Sequence, residues 1–126
     1  MTHSPTLQEL TDEVRAFGRE RDWERYHSPR NLAMALSVEA AELLELYLWC
    51  EDGGPQPINE GRAERVADEA ADVLICLLNF CDKAQLDLAT AMRRKLKTAA
   101  AKYPADRVKG QALKYDEYDE YKPDAS

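Results

Sequence analysis

The chain has 126 residues, with 17 Lys and Arg against 24 Asp and Glu, for a net charge of −7. That length fits one domain with an ordinary core. The acidic balance argues against a protein that tracks nucleic-acid phosphates and against one that docks on an anionic membrane through a basic patch.

Composition points to helix: 18 Ala and 15 Leu stand against five Val and two Ile, and β-branched residues are what strands prefer. Thr6 to about Trp23 reads as a first helix, because Leu7, Leu10, Val14 and Phe17 recur at helical spacing and Pro5 suits a first turn. Ser28-Pro29 is a start signal for a second helix, with Ser as N-cap, running to Cys50 or Glu51 with a stripe of Leu32, Leu36, Leu43 and Leu46. Asp52-Gly53-Gly54-Pro55-Gln56-Pro57 is a loop. A third helix follows from Asn59 or Glu60 to Lys83 or Ala84. Its middle, Val73 to Cys81, is apolar nearly all round and is expected to be surrounded by protein. With nine residues and Asn79 inside it, that run is too short to span a bilayer. A fourth, basic helix spans Asp87 to Lys102 and stops before Pro104.

The expected fold is therefore all-α, a four-helix bundle-type subunit. Residues 1–115 form the domain and 116–126 an acidic tail, its last ten or so residues mobile. Met1 to Glu13 carries no signal-peptide pattern. Cys50, Cys76 and Cys81 cannot all pair within one chain, which suits buried free thiols in a reducing cytoplasm.

The chemistry gathers on four carboxylates. Glu39 and Glu42 are three apart on the second helix, and Glu69 and Asp72 are three apart on the third. Residues at that spacing share one face. Glu39 lies between Leu36 and Leu43, in line with the core stripe, and Glu69 lies between Val66 and Val73. Packing the helices would bring both pairs together in partial burial. Clustered buried carboxylates are costly unless a cation neutralises them. Hard oxygen ligands in that number suit Mg²⁺, or Mn²⁺ in its place. The other reading is that all four are solvated on helices rotated differently. His27 follows Glu24 by three, but His3 follows no Glu, and a di-iron site needs that spacing on two helices, which disfavours one; no Cys/His cluster suits zinc.

Glu39-x-x-Glu42 followed by Glu69-x-x-Asp72 resembles the motif of the MazG-like all-α nucleoside triphosphate pyrophosphohydrolases. Arg21-Asp22-Trp23-Glu24, Pro29-Arg30-Asn31-Leu32, Trp49, Asp72-Val73-Leu74-Ile75, Lys95, Lys102-Tyr103-Pro104 and Lys114-Tyr115 are most similar to the dCTP pyrophosphatase branch. The resemblance implies a Mg²⁺-dependent hydrolase that converts a deoxynucleoside triphosphate to its monophosphate and pyrophosphate. It implies a homodimer or homotetramer. It also implies that Glu39, Glu42, Glu69 and Asp72 hold the metal and that Trp23 and Trp49 line the base pocket.

Trp faces stack on pyrimidines, though a Trp in a small domain also serves as core. Trp49, seven residues after Glu42 on the same helix, lies two turns along a similar face and is expected to border the metal site. His27 and Asn31 stand beside the second helix's start as candidate substrate contacts. Lys95, Lys102 and Lys114 are candidate phosphate contacts or solvated charge, and Tyr103 and Tyr115 cover the site or the core. Glu45 continues the acidic row as a candidate water-orienting group, and it and Glu42 are the candidate bases. Cys76 and Ala99 stand where the branch usually has Tyr and Asn. These two departures leave dUTP or another nucleotide open as substrate, and leave open a non-catalytic helical module.

Overall fold

The computed structural model describes residues 3–49 and 60–117. Every regular element among them is helical. The chain divides into two compact units, Met1–Leu88 and Ala89–Ser126.

The first unit holds α1 (Leu7–Glu20), a 3₁₀ turn (Glu24–Tyr26), α2 (Pro29–Glu45) and α3 (Glu60–Lys83). α1 starts because Thr6 Oγ1 accepts the Glu9 N–H at 3.1 Å. Thr6 is therefore the N-cap, and Pro5 sits one residue before it rather than in the first turn. α1 stops three residues short of Trp23. Asp22 adopts a left-handed φ of 57°, and the Trp23 N–H reaches back to the Gly18 carbonyl at 3.0 Å. That is the closing geometry in which one left-handed residue turns the chain off the helix. α3 closes the same way, with Gln85 at φ 57° and Leu86 N–H donating to Cys81 O at 2.8 Å.

Ser28 is the N-cap of α2, its Oγ accepting from Asn31 N at 3.1 Å, and Pro29 follows as the first helical residue. α2 ends at Glu45, five residues before Cys50. Beyond it the backbone tightens: Tyr47 N–H donates to Leu44 O at 2.9 Å, three residues back. Trp49 then turns left-handed at φ 66°.

α3 packs against both α1 and α2. Leu32 and Leu46 from α2 and its cap and Leu78 and Cys81 from α3 are the buried apolar residues, and each such leucine contributes about 1.5–3 kcal/mol. An ion network fastens the end of α3 to α1 and the 3₁₀ turn. Arg15 Nε donates to Asp82 Oδ2 at 3.1 Å and its Nη2 bonds the other oxygen. Lys83 Nζ donates to Glu24 Oε1 at 2.8 Å, and Arg19 Nε donates to the same oxygen at 3.1 Å.

One expectation needs correction. The run Val73 to Cys81 is not enclosed on most sides within this chain: Leu74 is 38 % and Ile75 46 % exposed. Leu74 and Ile75 line a groove with Leu10, Val14 and Phe17 of α1 and are only partly covered there. Met34, Val38 and Leu44 on α2 are exposed as well.

The second unit holds α4 (Leu88–Lys102, its first residue in the first unit), α5 (Ala105–Val108) and a 3₁₀ turn (Tyr115–Glu117). α4 carries Arg93, Arg94, Lys95 and Lys97, all exposed. Pro104 ends its run, and α5 is an extra turn of helix that the sequence pattern does not predict. Among the described residues no helix is long and apolar enough to cross a membrane. Cys76 and Cys81 are free thiols, half-buried and buried. Cys50, the loop 52–57 and residues 118–126 of the acidic tail lie outside the described residues.

Candidate functional site

α2 and α3 run antiparallel, so one stripe on each helix faces the other. On α3 the stripe reads Glu69, Asp72, Cys76 and Asn79, at spacings of three, four and three. On α2 it reads Leu32, Ala35, Glu39 and Glu42. The early residues of α2 meet the late residues of α3, and Glu39 meets Glu69 and Asp72.

Glu39, Glu69 and Asp72 each offer a carboxylate oxygen within 4.8 Å of the others, and all three are half-buried. Glu42, also half-buried, stands outside that set but lies within hydrogen-bonding reach of both Glu39 and Glu69. Glu45 ends α2 as an exposed residue.

Like charges at this range cannot all stay ionised in partial burial. The Glu39 carboxyl is pushed up to about 7, first by burial and then by its hydrogen bond and charge contact with Glu42 and the charges of Asp72 and Glu69. Glu69 is raised too, again by burial first and then by Glu42 and Asp72, partly offset by a hydrogen bond with Glu39. Glu39 Oε2 and Glu69 Oε2 are buried without a hydrogen-bond partner. Buried polar atoms in native proteins are nearly always paired. Two orphaned carboxylate oxygens, facing a third carboxylate, fit a hard divalent cation, which supplies what their environment lacks.

Beside the cluster lies a pocket of about 290 Å³. Its lining includes Phe17, Trp23, Tyr26, His27, Asn31 and Asn79. Trp23 meets Phe17 edge to face, 5.7 Å between ring centroids. Asn31 Nδ2 donates to the Tyr26 carbonyl at 3.0 Å and so ties the 3₁₀ turn to the start of α2. Cys76 belongs to both places. It lines the pocket, and its thiol is pushed up by burial and then by the charges of Glu39 and Asp72. From Asp72 to Asn79 the α3 stripe rises about 10 Å, so an elongated ligand with an anionic end and a flat apolar end matches the site.

The fold thus gathers Glu39, Glu42, Glu69 and Asp72 into one cluster and Trp23, His27 and Asn31 into one pocket. Trp49 does not line that pocket. It is 97 % exposed, because α2 stops before it and the left-handed turn removes the face it would have shared with Glu42. Lys95, Lys102 and Lys114 are exposed in the second unit, where Tyr103 is half-buried and Tyr115 begins the last turn. Lys114 N–H donates to Glu117 Oε2 at 2.8 Å. Phe17, Tyr26 and Asn79 are pocket residues that sequence reasoning passed over. The visible signal was Asn79, a lone amide inside an apolar run.

Residues 34–118 match the MazG-like family. The chain is similar to dCTP pyrophosphatase 1 of Homo sapiens, 39 % identical over 115 residues that make up 90 % of this chain and 68 % of that protein. It is similar to dCTP pyrophosphatase 1 of Mus musculus, 40 % identical over 113 residues, 88 % of this chain and 66 % of that one. The chain thus spans about two-thirds of the length of these relatives. A crystal structure of a pyrophosphatase from Archaeoglobus fulgidus superimposes with a TM-score of 0.71 at 40 % identity, over 82 % of this chain and 97 % of that chain.

Proposed function

The chain belongs to the MazG-like family and is a deoxynucleoside triphosphate pyrophosphohydrolase; within that premise we propose that it cleaves dCTP or a 5-modified dCTP to the monophosphate and pyrophosphate. The observation that carries this reading is the pair of orphaned, buried carboxylate oxygens next to an aromatic pocket. A structural cluster would be paired by the protein itself.

Glu39, Glu69 and Asp72 would hold Mg²⁺, with Glu42 completing the shell and Mn²⁺ as a substitute. When bound, the cation offsets triphosphate charge and favours attack on phosphorus. We assign Glu42 as the carboxylate that accepts a proton from the attacking water. It is half-buried against Glu39 and Glu69, whereas Glu45 is exposed. As the water oxygen bonds to phosphorus, the α–β anhydride breaks and pyrophosphate leaves with the electron pair.

The base end belongs to the pocket. Trp23 offers a stacking face, worth about 1–3 kcal/mol per base, while His27 and Asn31 supply polar contacts. Lys95, Lys102 and Lys114 are proposed to meet phosphate oxygens, and Tyr103 and Tyr115 to cover the bound nucleotide.

We also propose self-association into a homodimer or homotetramer. The support is the partial exposure of Leu74 and Ile75 on α3 and of Met34, Val38 and Leu44 on α2, more apolar surface than a lone helical subunit ordinarily leaves in water. Trp49 contacts the base only in such an assembly. This function belongs with the cytoplasmic nucleotide pool.

The test is pyrophosphate release from dCTP, 5-methyl-dCTP, dUTP and the other deoxynucleoside triphosphates with Mg²⁺ or Mn²⁺. Turnover strongest on the cytosine nucleotides supports the reading. Turnover strongest on dUTP or a purine nucleotide overturns the substrate, and no turnover on any overturns the reaction.

A further inference from the structure

Asn79 is the one buried polar side chain among the described residues, at 8 % exposure. It sits in the apolar run of α3, where any aliphatic residue would pack. A buried amide survives there only if it is hydrogen-bonded. Its Nδ2 lies 3.2 Å from His27 Nδ1. With the amide turned this way, its NH₂ donates and His27 Nδ1 accepts. A neutral imidazole that accepts at Nδ1 carries its proton on Nε2.

His27 is otherwise held by packing. Its ring lies over Gly18, the one buried residue of α1, with Cε1 and Nδ1 3.6 and 3.7 Å from where a Cβ would stand. Ring position is therefore set by Gly18 and ring tautomer by Asn79. Both His27 and Asn79 line the pocket. Along the α3 stripe Asn79 lies two turns beyond Asp72, at the end away from the carboxylates.

We infer that Asn79 is a positioning residue that locks His27 as its Nε2–H tautomer and so gives the pocket a fixed hydrogen-bond donor for the acceptor edge of a pyrimidine, the O2 or N3 of cytosine. The inference rests on the proposed function for the identity of the ligand, not for the tautomer. A fixed donor discriminates more sharply than a ring free to exchange tautomers, because a base offering a donor at that point leaves a buried group unpaired.

Nitrogen-15 NMR of His27 in the full chain tests this directly. The expected spectrum has the proton on Nε2 and a bare Nδ1. Asn79→Leu, which suits the apolar run, should give a mixture of tautomers and raise KM for dCTP by the factor by which the Nε2–H fraction falls, about twofold for an even mixture, with kcat unchanged. Asn79→Asp, whose carboxylate can only accept, should move the proton to Nδ1. A native spectrum with Nδ1 protonated overturns the inference, as does an Asn79→Leu protein with unchanged tautomer and KM. If Asn79→Leu does not fold, the native and Asn79→Asp spectra still decide. Absence of dCTP turnover in the native protein would instead sink the substrate reading, while the spectrum still decides the Asn79–His27 pair.

Discussion

Two regions along α3, one at its C-terminal end and one where its middle meets α2, treat the same kind of side chain in opposite ways. Near its C-terminal end, Asp82 is bonded twice by Arg15, and its carboxyl is held below the usual range chiefly by that hydrogen bond. Glu24 is held low in the same network, chiefly by Lys83. Near the middle, Glu39 and Glu69 are raised and have buried oxygens with no partner. The fold supplies its own countercharge where a carboxylate fastens helices together. Where it withholds one, the countercharge has to come from a ligand. The difference separates a structural charge from a functional one without reference to residue type.

The comparison can be broken by swapping charge for an isosteric amide at each region. Glu39→Gln should lower turnover by about 10²-fold or more, the usual cost of removing one electrostatic element of an active site. The metal-free variant should melt no lower than the native protein, because one member of a like-charge cluster has been neutralised. Paired activity and thermal-melt measurements check both halves. Asp82→Asn should do the reverse. It leaves Arg15 without its main partner and costs about 1–2 kcal/mol, held to that range because Arg15 is partly solvated. A urea titration should show the loss while turnover per folded molecule is kept.

A gentler probe is pH. The Glu39 carboxyl lies near 7, above its value in an unfolded chain. The stability it contributes to the metal-free protein is therefore present at low pH, where it is protonated, and is lost as pH rises through about 7. Cation binding needs the deprotonated carboxylate. Melting with and without Mg²⁺ between pH 6 and pH 8 should show the metal-dependent gain growing across that window. The Asp82 network should show no such rise there, since its shift is downward.

Much of this was legible in the sequence. Helix class followed from Ala and Leu content, and Ser28-Pro29 marks the start of α2 to the residue. The carboxylate cluster was visible because Glu39 and Glu69 interrupt apolar stripes, where a solvated acid has no reason to stand. Helix ends were less legible. α1 closes at a left-handed Asp22 and α2 in a tightened turn at Leu46 and Tyr47, neither of them marked by a glycine, so no local pattern announces the stop. That is why Trp49 was expected beside Glu42, and stands exposed instead. The run Val73 to Cys81 reads as fully enclosed, yet Leu74 and Ile75 are partly exposed, because hydrophobicity says that a face tends to be covered and not how completely. Asn79 was visible as an anomaly, but its partner His27 is 52 residues away, and only the packing of α1, the 3₁₀ turn and α3 brings them together.

Unpaired carboxylates and paired ones are separated by Mg²⁺-dependent pyrophosphate release from dCTP by the native protein, Glu39→Gln and Asp82→Asn, each corrected for its folded fraction. Release should be equal for the native protein and Asp82→Asn, with Glu39→Gln near background. Full release by Glu39→Gln, or an equal loss in both variants, would contradict that separation.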